Sequence, residues 1–137
     1  MKKETEVSFL IENSNHLVFY CKINSVRGRF LIDTGASGSC IDKNKKLVFK
    51  VNCKNEIKDA SSATENITDI YCSKKNILKI GKLIKENFEI MIFDMNQINN
   101  SLINNGVKPI DGIIGSDILK EFNAKIDYEK GLLSLKL

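Results

Sequence analysis

Asp33 is the residue whose surroundings most demand an explanation. It follows Phe30-Leu31-Ile32 and opens the run Asp33-Thr34-Gly35-Ala36-Ser37-Gly38. Three large apolar residues in succession read as a buried strand. Two glycines among small polar residues read as a tight loop at its end. A carboxylate delivered there is costly unless it is hydrogen-bonded or used in chemistry. Gly35 lets the chain turn so that backbone N–H groups face the carboxylate, and Thr34 adds a hydroxyl donor and acceptor. Asp and Gly are also common turn residues, so the residues by themselves leave a structural turn and a catalytic carboxylate both open.

Other reactive groups offer less. His16 is the single His and stands at the start of a strand-like run, without the companions of a triad or a metal site. Gly35-Ala36-Ser37-Gly38-Ser39 misses the nucleophile-elbow pattern at its last position, and no His follows it. Cys21, Cys40, Cys53 and Cys72 are spaced 19, 13 and 19 apart with no C-x-x-C pair, which argues against zinc. They read as reduced, mostly buried thiols, Cys40 as apolar filler rather than a nucleophile. Asp94-Met95-Asn96-Gln97-Ile98 lacks the Gly and the closing Glu of a calcium loop. Asn66-Ile67-Thr68 is a glycosylation sequon in a chain that shows no export signal, where chance explains it best. No phosphate-binding or dinucleotide fingerprint occurs, so neither metal nor cofactor is expected.

The elements that must position Asp33 are mostly strands. Residues 16–23, 30–32, 77–80 and 88–93 are β-favouring apolar runs, the last with a period of two. Residues 43–58 read as a partly exposed strand or loop. Between the β-like stretches 48–58 and 67–72 lie Ala60, Ser61, Ser62 and Ala63, small residues suited to a hairpin tip. Residues 96–105 are Asn-rich, a loop or one weak helical turn. A second apolar run, Ile110-Asp111-Gly112-Ile113-Ile114-Gly115, leads into a short helix over 116–122, with Ser116 as its N-cap and Asp117 in the first turn. A hairpin over 124–137 closes the chain. The total is seven or eight strands and one helix, an all-β fold.

Composition supports one such domain. The chain has 137 residues, 42% hydrophobic and 28% charged, with a net charge of +4. Residues 1–13 read as an N-terminal segment and 14–137 as the domain. The 19 Lys and 2 Arg are scattered and there is no Trp, so nucleic acid is not an expected partner. No apolar run approaches the ~20 residues needed to span a bilayer, and no signal-peptide core follows Met1, so no membrane is expected and a cytoplasmic location is.

Phe30-Leu31-Ile32-Asp33-Thr34-Gly35-Ala36-Ser37 resembles the active-site strand and loop of the retropepsin-like aspartic proteases. Ile110-Asp111-Gly112-Ile113-Ile114-Gly115-Ser116-Asp117-Ile118-Leu119 is similar to the family's apolar-apolar-Gly segment and following helix, with Gly115 placed 82 residues after Asp33. Ala124-Lys125-Ile126-Asp127-Tyr128 and the final hairpin match the single-domain bacterial members. The resemblance covers roughly residues 14–137. It implies a closed retropepsin-like (acid-protease) β-barrel with one short C-terminal helix, and an aspartic endopeptidase that needs no cofactor.

Aspartic proteases need two facing carboxylates that share one proton around an attacking water. This chain holds one Asp-Thr-Gly, and Asp111, Asp117 and Asp127 have different neighbours. The second carboxylate is therefore expected from Asp33 of another copy, across the axis of a homodimer acting on polypeptide. By resemblance, Asp33 is the acid/base and Thr34 bonds the partner's loop. Gly35 keeps the carboxylate approachable and contacts substrate, with Ala36 and Ser37 beside it. Ala36 offers no hydroxyl to the ionised pair, so the expected optimum is less acidic than for pepsin-like enzymes. Ile113 and Ile114 are expected beneath the loop, and Asp117 as a structural brace. Ala60, Ser61, Ser62 and Ala63 take the place of the substrate-covering flap, although none of residues 54–80 is Gly and such flaps are usually Gly-rich. That departure leaves one alternative: a dimeric module of the same fold that binds extended peptides with little or no catalysis.

Overall fold

The computed structural model describes residues 3–52, 55–56 and 70–137. Its strands are β1 (Glu4–Ser8), β2 (Leu10–Ile11), β3 (Leu17–Ile23), β4 (Val26–Ile32), β5 (Cys40–Asp42), β6 (Asn55–Glu56), β7 (Tyr71–Ile80), β8 (Leu83–Phe93), β9 (Gly112–Ile114), β10 (Lys125–Asp127) and β11 (Leu132–Lys136). Two α-helices join them, α1 (Asn96–Asn104) and α2 (Ser116–Glu121), with a short 3-10 turn at Lys43–Lys45.

The barrel starts from the tightest local element. Strands β3 and β4 pair antiparallel from Leu17↔Ile32 to Ile23↔Val26. The two turn residues, Asn24 and Ser25, have φ of 51° and 71°. Positive φ at both centres gives the turn whose twist matches the flanking strands. Asn24 tolerates that backbone and uses its side chain to hold neighbours: it accepts from the Ile77 N–H at 2.9 Å and donates to the Phe49 carbonyl at 2.9 Å. Pairing then runs β3-β4-β9-β5-β8-β7 and returns through Lys22↔Lys79 and Ile23↔Leu78, which closes six strands into a barrel. Closure leaves no free edge in that ring.

Phe19, Phe30, Phe49, Phe88, Ile41, Ile90 and Ile92 fill the interior, each almost wholly buried. Strand β4 is buried on both faces: Phe30 and Ile32 point to this core, and Leu31 points to a second cluster with Val18, Cys40, Met95, Leu102 and Ile113. Helix α1 covers that second cluster. The Asn-rich composition hides it in the sequence, because Asn is a poor helix former. Buried Leu102 and Asn99 dock it, the Asn99 amide accepting from the Ile110 N–H at 2.8 Å and donating to the Ile110 carbonyl at 3.1 Å.

Several expectations need correction. Residues 71–72 of the strand expected at 67–72 and all of the strand expected at 77–80 belong to one strand, β7, while residues 67–69 lie outside the described residues. Register shifts between Ser73 and Leu78, with Lys75 at φ 66°, break the period of two and conceal its continuity. Residues 43–50 form the 3-10 turn and further turns, and among the described residues of 43–58 only Asn55–Glu56 is strand. Residues 4–11, set apart as an N-terminal segment by the sequence, form β1 and β2, paired with β11 and β3. Strands β1, β11 and β10 make a separate three-stranded sheet. No helix among the described residues is long and apolar enough to cross a membrane.

Gly112 stands where strands approach most closely. A Cβ there would meet the Cys40 carbonyl oxygen and the Phe30 ring. Gly112→Ala is expected to lower stability by about 1–3 kcal/mol through overpacking, read as an earlier urea midpoint with unchanged slope.

Candidate active site

Strands β4 and β9 run parallel in the register Phe30↔Gly112, Leu31↔Ile113 and Ile32↔Ile114. Both therefore end at the same edge of the barrel, and the Asp33 N–H extends the ladder by donating to the Ile114 carbonyl at 3.0 Å. The backbone of Asp33 is thus held as firmly as a strand residue while its side chain lies half-buried at the rim. The Gly35 N–H donates to Asp33 Oδ1 at 2.9 Å, and the Ala36 N–H donates to the Asp33 carbonyl at 3.2 Å. The other carboxylate oxygen, Oδ2, has no hydrogen-bond partner among the described residues. A donor from the loop on one oxygen and an open second oxygen suit a carboxylate that must exchange protons.

The loop is then fastened to α2. The Ala36 carbonyl accepts from the Ser116 N–H at 2.7 Å, and a Cβ on Gly115 would come within 2.5 Å of that carbonyl oxygen. Close backbone approach is the reason for Gly at 115, whose φ is otherwise ordinary. Gly115, not Ser116, is the N-cap of α2, and no side chain caps it. Ser39 is the hub. Its Oγ donates to Asp117 Oδ1 at 2.7 Å and accepts from the Gly115 N–H at 3.0 Å, while its N–H donates to Asp117 Oδ2 at 3.1 Å. The sequence singled out Asp117 as a brace but missed Ser39. A hydroxyl placed directly before the apolar pair Cys40-Ile41 was the available signal.

Thr34, Gly35 and Ser37 are exposed and Ala36 is half-buried, all on one loop around Asp33. Ile113 and Ile114 are buried beneath it. Ala60, Ser61, Ser62 and Ala63, the expected flap, lie outside the described residues. The remaining aspartates of the motif regions have internal duties. Asp111 accepts from the Arg29 N–H at 2.9 Å, and Asp127 accepts from the Lys130 N–H at 3.0 Å. A groove of about 400 Å³ flanks the loop between β8 and α2, lined in part by Gly38, Met91, Asp117 and Glu121. It does not reach Asp33. Among the described residues no three His, Cys, Asp or Glu side chains gather into a possible metal site.

Cys40 is 3% exposed, and its thiol is pushed up to about 12, by burial first and then by the Asp117 and Asp33 carboxylates. Cys21 is likewise raised by burial. A buried thiol held protonated is a poor nucleophile, which argues against Cys40 acting as one.

Residues 19–118 match the aspartyl protease family model, and the chain belongs to that family. Its fold is that of the retropepsin-like proteases. It is similar to a retropepsin-like aspartic protease from Rickettsia conorii, at 18% identity and TM-score 0.64, over 98% of this chain and 92% of that one. It is also similar to the retroviral protease-like domain of Ddi1 from Leishmania major, at 17% identity and TM-score 0.60, over 88% and 87%. The EIAV protease, solved with the inhibitor HBY-793, aligns at 18% identity and TM-score 0.55, over 80% and 90%. No curated protein matches the chain by sequence.

Asp117→Ala removes the acceptor from two buried Ser39 donors and is expected to cost about 1–3 kcal/mol, seen as a lower Tm. Cys40 and Cys21 are expected to resist iodoacetamide at pH 8 in the folded protein and to react after denaturation, as mass spectrometry of the labelled peptides would report.

Proposed function

We propose that this protein is an aspartic endopeptidase, active as a homodimer, in which two Asp33 carboxylates activate the water that hydrolyses a peptide bond. The observation that carries the proposal is the presentation of Asp33. One carboxylate per chain stands at the joint end of β4 and β9, bonded by Gly35 on one oxygen and open on the other. Family membership supplies the chemistry, and that chemistry needs a pair of such carboxylates.

Two copies related by a two-fold axis through the rim place identical loops face to face. Two ionised carboxylates so close cannot coexist, so the pair holds one proton. The ionised Asp33 takes a proton from the water as it attacks the scissile carbonyl. The protonated Asp33 of the second copy donates to the carbonyl oxygen, and the proton then passes to the leaving amine. Thr34, exposed and without a side-chain hydrogen bond among the described residues, is placed to bond the facing loop. Gly35, Ala36 and Ser37 line the path of an extended peptide, and the resemblance assigns Ala60, Ser61, Ser62 and Ala63 to a flap over it. The firm seat of the loop on Gly115, Ser39 and Asp117 supports the role, because a facing pair must keep its geometry to share a proton.

The test is cleavage of a diverse peptide pool from about pH 4 to 7, by the wild type and by Asp33→Asn, over a range of protein concentrations. Cleavage is expected to rise faster than linearly with concentration while monomer and dimer exchange. In Asp33→Asn it is expected to fall by at least about 10³-fold, as for loss of a central acid/base group. A confirmed dimer that cleaves nothing, or an Asp33→Asn protein that cleaves as well as wild type, overturns the proposal. The first outcome leaves a peptide-binding module.

A further inference from the structure

At the end of the barrel remote from Asp33, three cations stand in one row across three strands. Lys22 of β3 lies directly opposite Arg27 of β4 and also directly opposite Lys79 of β7. All three are exposed. Like charges placed directly opposite one another destabilise a sheet, so this row opposes folding rather than assisting it. No carboxylate among the described residues makes a salt bridge with any of them. The Glu12 carboxylate on the same side is engaged by Arg29 at 2.8 Å.

The row is also ordered. Tyr20 shares the face of Lys22, two residues along β3. Its hydroxyl accepts from Arg29 Nη1 at 3.3 Å, and the Arg27 guanidinium lies 4.0 Å above its ring. The ring contact holds the Arg27 guanidinium beside Tyr20, and no hydrogen bond among the described residues takes up its N–H groups, which can grip a carboxylate by two parallel bonds. Tyr20, Lys22, Arg27, Lys79 and Gly81 line a groove of about 250 Å³ here. Lys22 is five residues along β3 from the Leu17 end beside the active-site rim, a separation of about 17 Å at strand rise.

We infer that this groove is a docking site for an acidic segment of a partner polypeptide, whose Asp and Glu carboxylates pair with Arg27, Lys22 and Lys79. Charge complementarity selects the partner. The chemistry favours peptide over nucleic acid, because the one aromatic face at the site is occupied by Arg27 and offers no platform for a base. The site stands apart from the proposed peptidase activity and is read without it.

The test is fluorescence anisotropy with a labelled oligoglutamate peptide. All proteins carry Asp33→Asn so that no cleavage intrudes. Binding is expected at low ionic strength and to weaken with salt. Lys79→Glu is expected to reduce affinity at least about tenfold while Lys120→Glu, an equal change in net charge elsewhere, changes it less than about twofold. Lys79→Glu also places a carboxylate opposite Lys22, so its Tm is expected to rise, which separates lost binding from lost folding. No binding, equal losses in the two variants, or a single-stranded RNA that binds through Lys79 while oligoglutamate does not, each overturns the inference.

Discussion

The Ser39 hydroxyl, bonded to the Asp117 carboxylate and to the Gly115 amide, is the interaction on which the rest of the site depends. It joins segments that are far apart in sequence and meet only because β4 and β9 are parallel neighbours. Parallel pairing carries two strand ends to the same rim, and the loop after β4 is then clamped to the helix after β9. A single hydroxyl there satisfies two partners at once. The loop that carries Asp33 inherits the rigidity of the barrel, although Thr34, Gly35 and Ser37 are exposed.

That rigidity answers the central demand of the proposed chemistry. A carboxylate that shares a proton with its own symmetry mate cannot adjust independently of it, so the geometry must be settled before the copies meet. The fold does this with backbone contacts: the Asp33 amide in the ladder, the Gly35 amide on Oδ1, and the Ala36 carbonyl on the Ser116 amide. Glycines at 112 and 115 permit the close approaches, the first between strands and the second between loop and helix. The Thr34 and Ser37 side chains are left exposed, as the proposed function requires for substrate and for a second copy.

The two ends of the barrel treat charge in opposite ways. At the Asp33 rim one carboxylate is presented on a braced loop. At the far end the ladder register lines up Arg27, Lys22 and Lys79 without a compensating carboxylate among the described residues. Register is set by the buried residues between them, such as Cys21, Ile23 and Leu78, so the backbone positions of the three cations are fixed opposite one another.

Short-range chemistry was legible in the sequence. The apolar run into Asp33-Thr34-Gly35 and the run into Gly115 announced two buried strands with tight exits, and the resemblance to retropepsin-like proteases rested on those two places. The closing hairpin was equally visible, because a turn marks it locally. What lacked a local signal was missed. Helix α1 is made of residues that do not favour helix and holds because Asn99 and Leu102 find partners near Ile110. The continuity of β7 was hidden by its bulges, and the pairing of residues 4–11 needed strands that lie elsewhere in the chain. Ser39 gained its role only when folding set it against Asp117 and Gly115. The cationic row exists only in the register of three strands, since Lys22, Arg27 and Lys79 are unremarkable along the chain. Sequence by itself singled out Asp33 as the residue proposed to carry the chemistry, because that reading depends on residue type and immediate neighbours. Tertiary structure alone decided how that residue is held and which charges face one another, because both depend on pairings between segments that the chain separates.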